Sequence, residues 1–323
     1  MRKYKQLFLI IVSAFILVPF TGISQTKNDA ISAYNEGAQL IKSNPVGAIE
    51  AFNKCIKICD AVGDEAEETR VLAETQLPGL HYKLAMESYK QKKIEEAIEK
   101  FKKAGEIADK YNNSSILAKV NKVVPQLYMV RGNSLMKQNP QEALKNLDKA
   151  VELNPNLTKA YLAKGLIYKD LGDELNMKAS LIKTMEVGFA HNDIKTADQA
   201  ELVLRTFYFN KAVTSLKTEN MAEAETCFKS AVEYGSKNPM VYFQLGKIYN
   251  SNKQYELAVQ TLKRAEEFEN GGDAEKAGIF YEMGNAYIGL ENNSEACIAF
   301  KKAMFGDYAE GAKYQIEVVL KCK

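Results

Sequence analysis

Large apolar and small residues recur along this chain at spacings of three and four, with polar residues between them. Tyr242, Leu245, Gly246 and Tyr249 form one such run, and Ala258, Leu262 and Ala265 continue it in the next segment. Phe280, Met283, Gly284 and Tyr287 repeat the first pattern, followed by Ala296, Phe300 and Ala303. This period places the apolar groups on one face of a helix. A small residue at each crossing, with a large one beside it, predicts pairs of helices packed closely as hairpins, each covering its neighbour. The fold class is all-α.

The same register occurs seven times. The small residue of the first helix is Gly37, Ala85, Gly132, Gly165, Ala212, Gly246 and Gly284. The small residue opposite it on the second helix is Ala48, Ala97, Ala143, Met177, Ala224, Ala258 and Ala296. Four residues later come Phe52, Phe101, Leu147, Leu181, Phe228, Leu262 and Phe300, then Cys55, Ala104, Ala150, Thr184, Ala231, Ala265 and Ala303. This arrangement resembles the tetratricopeptide repeat, whose first helix runs W-x2-L-G-x2-Y and whose second carries A-x3-F and a further Ala. The chain has no Trp; Tyr128, Tyr161, Tyr208, Tyr242 and Phe280 take the first slot. Met177 and Thr184 make the fourth copy the one furthest from the pattern. The resemblance implies a right-handed superhelical solenoid of about seven hairpins over residues 25–323. The repeats are expected near 30–60, 78–110, 125–155, 158–188, 205–237, 239–269 and 277–306, with a capping helix over 311–323.

The second-helix anchors are separated by 49, 46, 34, 47, 34 and 38 residues. Each of the three long gaps adds roughly three to four helical turns. Two of the added segments end at Pro78 and Pro125, seven residues before the small residue of their repeat, and predict elongated first helices kinked or restarted at Pro. The third, Asp193 to Arg205, reads as helix without Pro. Asn44-Pro45 and Asn139-Pro140 predict a capping side chain before a first-turn Pro, as do Asn154-Pro155 and Asn238-Pro239 between repeats. Asn270-Gly271-Gly272-Asp273 reads as a turn ending in a helix cap.

Residues 1–24 have a different composition. Arg2, Lys3 and Lys5 precede an apolar run from Leu7 to Phe20, then Gly22 and Ser24, which is the make-up of a secretory signal peptide cleaved after Ser24. An uncleaved anchor is the alternative reading, although a 14-residue run falls short of the roughly 20 apolar residues a membrane span needs. The style of the signal is bacterial and places the protein in the periplasm, the envelope or outside the cell. Removing the segment takes the net charge from +2 to −1. Interspersed Lys and Glu at near-neutral charge give no footprint for nucleic acid, and no direct membrane insertion is expected after cleavage.

Catalytic chemistry finds little support, so the chain is not expected to be an enzyme and no cofactor is expected. Of only two His, His81 takes a slot that the family fills with a large aromatic, and His191 lies in an expected turn. There is no phosphate loop, Ser elbow or paired His. Five Cys leave at least one unpaired. Cys55 and Cys59 lie one turn apart on one helix, where a disulfide is strained. Cys297 and Cys322 come within reach if the terminal helix packs back, and this pairing is left open. No second cluster of ligands accompanies any Cys, so a metal is not expected.

The resemblance implies that the fifth and ninth positions of each first helix line an inner surface. The fifth positions are Tyr34, Tyr82, Met129, Leu162, Phe209, Phe243 and Tyr281; the ninth are Ala38, Met86, Asn133, Leu166, Val213, Lys247 and Asn285. Together they describe an apolar, aromatic-rich stripe suited to an extended peptide or a helix, although Tyr and Asn are also ordinary consensus residues there. None of the fifth positions is Lys, so the family's grip on C-terminal carboxylates is not carried over. A non-catalytic scaffold binding a protein or peptide in its groove is the leading expectation. A structural subunit of an envelope complex, using the convex face or edges, is the alternative. An enzyme or solute-binding protein whose site leaves no motif is the third.

Overall fold

The computed structural model describes residues 25–322. The signal-peptide reading of residues 1–24 lies outside these residues. Among them the chain is helical throughout its regular structure, in seven hairpins that follow one another directly. The helices fall into two compact units, residues 25–127 and 128–322, which are treated separately below.

The first unit contains the hairpin α1 (Lys27–Leu40) and α2 (Pro45–Val62), a 3-10 turn over Asp64–Ala66, and the hairpin α3 (Glu67–Lys90) and α4 (Ile94–Lys110). It also holds the first part of α5 (Ser114–Leu135). Its core is built from Phe52, Cys55, Ile58, Leu77 and Leu80, all buried. The crossing of α1 and α2 shows why Gly37 is small: a Cβ there would lie 2.9 Å from the ring of Phe52, itself fully buried.

The second unit begins in α5 and continues with α6 (Pro140–Leu153), then the hairpins α7 (Thr158–Asp170) with α8 (Glu174–Ala190) and α9 (Ile194–Lys217) with α10 (Met221–Glu233). The last two hairpins are α11 (Pro239–Ser251) with α12 (Tyr255–Phe268) and α13 (Asp273–Gly289) with α14 (Asn293–Lys302). One core runs from Met177 and Leu181 through Tyr208, Phe228, Leu245 and Leu262 to Phe300. The crossings at Gly132, Gly165, Gly246 and Gly284 repeat the fit seen at Gly37. A Cβ at Gly165 would meet Leu181 Cδ2 at 2.6 Å, and one at Gly284 would meet the Phe300 ring at 2.7 Å. Met177 and Thr184, the departures from the pattern, are completely buried, and the Thr184 hydroxyl donates to the Ser180 carbonyl at 2.9 Å. A buried hydroxyl is tolerated there because the preceding turn of its own helix supplies the acceptor.

The elongated first helices are present: α3 and α9 have 24 residues each and α5 has 22. Neither α3 nor α5 restarts at its Pro; both run through Pro78 and Pro125 as single helices. Losing one intrahelical hydrogen bond is tolerated where flanking turns and packing hold the segment, and Pro78 is buried. Asn44, Asn139 and Asn238 cap their helices through backbone N–H groups of Gly47, Glu142 and Met240, with Pro at the start. Asn154 behaves differently from expectation. It ends α6, and its side chain accepts from the Asn156 N–H in a turn, leaving Leu157 to precede α7 with no side-chain cap. Gly272, not Asp273, is the residue before α13, and Asp273 opens the first turn.

Most hairpins turn in one way. Lys92, Asn112, Asn192, Glu219, Lys253 and Glu291 follow their helices with φ between 52° and 61°, and Gly172 and Gly235 do so at 75° and 70°. The next residue then donates back across the helix end, as Lys93 does to Ser88, Asp193 to Gly188 and Asn292 to Tyr287. These left-handed turns close the helix carbonyls that would otherwise lack partners.

The C-terminal segment, expected as one helix over 311–323, divides. A 3-10 turn at Gly306–Tyr308 leads into α15 (Ala309–Tyr314), which passes into a π-helical turn at Gln315–Val319. Cys322 then forms a disulfide with Cys297 of α14, with Cα atoms 5.8 Å apart. The pairing that the sequence left open is therefore made, and it ties the tail to the last hairpin. Cys55, Cys59 and Cys227 remain free and buried.

Candidate peptide-binding surface

The stripe residues of the first helices divide between the two units. Tyr34, Tyr82 and Met86 belong to the first, where the half-buried rings pack on second-helix rings: Tyr34 on Phe52 at 5.5 Å between centroids and Tyr82 on Phe101 at 5.3 Å. Met86 is half-buried. In the second unit Met129 and Leu162 pack against the core from its edge. Phe209 leans on Phe228 at 6.4 Å, and Tyr281 stands edge-on to Phe300 at 5.4 Å. Asn133 and Lys247 are exposed; the Lys247 ammonium lies 5.6 Å from the Phe243 ring centroid, and Asn285 donates to Glu282 at 3.4 Å. Tyr34, Tyr82, Phe209 and Tyr281 thus each give one side to their own hairpin. The other side is free to face a ligand only where nothing else covers it.

That freedom is clearest around α9 and α11. A shallow depression of about 680 Å³ is lined by Phe209, Val213, Leu216, Lys217, Met240 and Gln244. A second, of about 600 Å³, is also lined by Phe209 and is bordered by Arg205, Thr206 and Gly235 to Asn238. A third of about 510 Å³ is lined by Leu202, Phe207, Asn210 and Thr214 of α9 and Lys169 of α7. Phe243 and Met240 border a smaller hollow of about 130 Å³ with Ile279 and Tyr308. Apolar floors with hydroxyl and amide rims can hold a backbone through hydrogen bonds and a side chain by burial. Tyr281 is not free in this sense: Tyr308 of the C-terminal segment packs on its ring at 5.5 Å, and a Cβ on Gly311 would lie 3.1 Å from its hydroxyl.

Reading only the fifth and ninth positions missed Thr206, Asn210, Thr214, Met240 and Gln244, which lie on the neighbouring positions of the same two helices. Half-exposed Leu202 and Met240, at 50% and 46%, were the sequence signal that could have found them: large apolar residues outside the core register.

The family-model match follows the hairpin geometry. A tetratricopeptide repeat model matches residues 158–186, 206–237, 241–270 and 277–304. The match is to these four segments and covers less than half of the chain. They coincide with α7 to α14, and the earlier hairpins place Gly37 against Phe52 and Gly132 against Leu147 in the same way. No curated protein matches the chain. Among solved structures, YrrB, described as a TPR protein with an unusual peptide-binding site, is 22% identical over 58% of this chain and 90% of its own, with a TM-score of 0.31. A tetratricopeptide repeat protein from Parabacteroides merdae is 16% identical over 91% of this chain and 99% of its own, at a TM-score of 0.29. MamA is 19% identical over 60% and 94%, at 0.31. TM-scores of this size decide nothing about the surface.

Elsewhere the titratable groups point to packing. His81 is half-buried, and burial, with the Lys103 cation adding to it, holds its imidazole below the ordinary histidine range. Burial beside Cys59 pushes the Cys55 thiol up to about 12, and burial also raises Cys59 and Cys227. The Cys55 and Cys59 sulfurs lie 3.9 Å apart. His191 caps the end of α8 at the surface. Among the described residues no group of three or more His, Cys, Asp or Glu could hold a metal ion, and no helix is long and apolar enough to cross a membrane.

Proposed function

We propose that this protein is a non-catalytic scaffold that holds a protein segment or peptide along its first helices, chiefly over α9 and α11. The observation that carries the reading is the run of depressions around Phe209 and Met240, where apolar side chains stay uncovered by the chain itself. Tetratricopeptide repeats bury one side of each hairpin in the stack and leave the first-helix row available, so a surface there costs the fold nothing. The stripe of Tyr34, Tyr82, Met86, Met129, Asn133, Leu162, Phe209, Phe243, Lys247, Tyr281 and Asn285 is narrowed in this reading to its part in α9 and α11.

We further propose that the scaffold works across the inner membrane, in the periplasm or cell envelope. Arg2, Lys3, Lys5 and the apolar run to Phe20 support export, and a Cys297–Cys322 disulfide suits an oxidising compartment. Selection of a displayed random-peptide library on the folded chain tests the binding role. Peptides retained by wild type and lost by Phe209→Ala with Phe243→Ala, and also by exposed Met240→Asp, support it. Peptides bound equally by all three move the function to other faces, as in a structural subunit of an envelope complex.

A further inference from the structure

The charges bordering the α7–α9–α11 surface are not balanced. The three depressions there are lined by Lys169, Arg205, Lys211, Lys217 and Lys237, with Glu201 as the acid. Two of the cations are already engaged: Arg205 lies 3.6 Å from Glu201 and donates to the Gly235 carbonyl at 3.2 Å, and Lys211 reaches Glu174 at 2.6 Å and Glu223 at 3.5 Å. Among the described residues Lys169 pairs with its exposed chain neighbour Asp170 alone, at 3.9 Å. Lys217, Lys237 and Lys247 are exposed and make no ion pair among the described residues. On the α13 side the balance reverses, where Glu269 and Glu275 border the small hollow next to Phe243.

We propose that the segment held here is acidic. Resting on the binding role argued above, the surface selects a peptide whose apolar side chains sit on Phe209, Val213 and Met240 while its Asp or Glu side chains reach Lys217, Lys237 and Lys247. Acids on the α13 side repel such residues, so the ligand's acidic stretch lies over α9 and α11 and stops before α13. Unpaired cations around an apolar floor also raise the local concentration of acidic ligands and discriminate against basic ones, and both effects weaken with salt.

The test uses the same random-peptide library on wild type and on Lys217→Glu, Lys237→Glu, Lys247→Glu, three exposed substitutions whose folding is checked by circular dichroism. Wild type is expected to enrich Asp and Glu over the input pool, and the charge-reversed protein to enrich Lys and Arg. A fluorescent wild-type-selected peptide should bind the reversed protein about tenfold or more weakly, and bind wild type more weakly at high salt. Peptides lost on Phe209→Ala with Phe243→Ala but showing no acidic bias, or held equally by the charge-reversed protein, overturn the acidic preference and leave the surface standing. Selection indifferent to the Phe variants, or no selected peptide at all, removes the surface and the preference with it.

Discussion

The packing account makes opposite predictions for one substitution at two glycines. Gly79 lies inside α3 with nothing within 4 Å of the place a Cβ would take. Gly79→Ala should therefore stabilise the chain by up to about 1 kcal/mol, the cost of Gly relative to Ala in a helix interior. Gly165 lies inside α7, and the same methyl would meet Leu181 Cδ2 at 2.6 Å and Cγ at 2.7 Å. Leu181 is fully buried and cannot swing into solvent. Overpacking of this kind costs about 1–3 kcal/mol, and the closeness of Cγ favours the upper end. Set against the gain in helix propensity, Gly165→Ala should destabilise by about 2 kcal/mol, roughly a 30-fold change in the folding constant. Urea unfolding followed by circular dichroism reads both. Leu181→Ala in the Gly165→Ala background should cost less than in wild type, with a coupling of about 0.5–3 kcal/mol. Equal stability of Gly165→Ala and Gly79→Ala, or additive costs at 165 and 181, would refute the claim that the small residue is required by the crossing helix.

Three further outcomes follow from the buried and tethered groups. Cys55, Cys59 and Cys227 should resist thiol reagents at mildly alkaline pH until the chain unfolds, because burial raises all three thiols; rapid labelling of the native protein would contradict this. His81 is harder to protonate folded than unfolded, so the unfolded chain takes up the extra proton. Its contribution is full above the ordinary value near 6.5 and declines as pH falls from there toward the lowered folded value; thermal melts of His81→Phe should lose that decline, and an unchanged profile would exclude it. The Cys297–Cys322 bridge spans 25 residues, for which loop closure gives about 3.5 kcal/mol. Reduction, or Cys322→Ser, should open residues 306–322 to limited proteolysis; protection equal to wild type would mean that packing of Tyr308 on Tyr281 holds the segment unaided.

Much of this architecture was legible because close helix crossings need residue volumes that leave a trace. Gly37, Gly165 and Gly284 face Phe52, Leu181 and Phe300 just as their spacing required. The elongated helices were legible from the long gaps between repeats, but continuity through Pro78 and Pro125 was not, since a Pro inside a helix is decided by the packing around it. The hairpin turns were hidden because Gly usually marks a left-handed residue, whereas Lys92, Glu219, Lys253 and Glu291 adopt it here with side chains that carry no such signal. Asn154 was misread for a related reason: Asn before Pro suits a helix cap or an isolated turn equally, and only the distance to α7 separates them. The surface was half-legible. Its fifth positions follow from register, but which of them stay uncovered depends on long-range contacts such as Tyr308 over Tyr281, about which local sequence says nothing.

The proposed working surface is the face of α9 and α11, and a photo-cross-linking amino acid tests this without disturbing the core. Placed at exposed Thr214 or half-exposed Gln244, it borders the depression of about 680 Å³; placed at Lys183 on α8, it stands on an exposed second-helix position. With a peptide selected on the wild-type chain, the account predicts cross-links from 214 and 244 and none from 183. Cross-links from 183 with none from 214 or 244 would contradict it and move the interaction to the second helices.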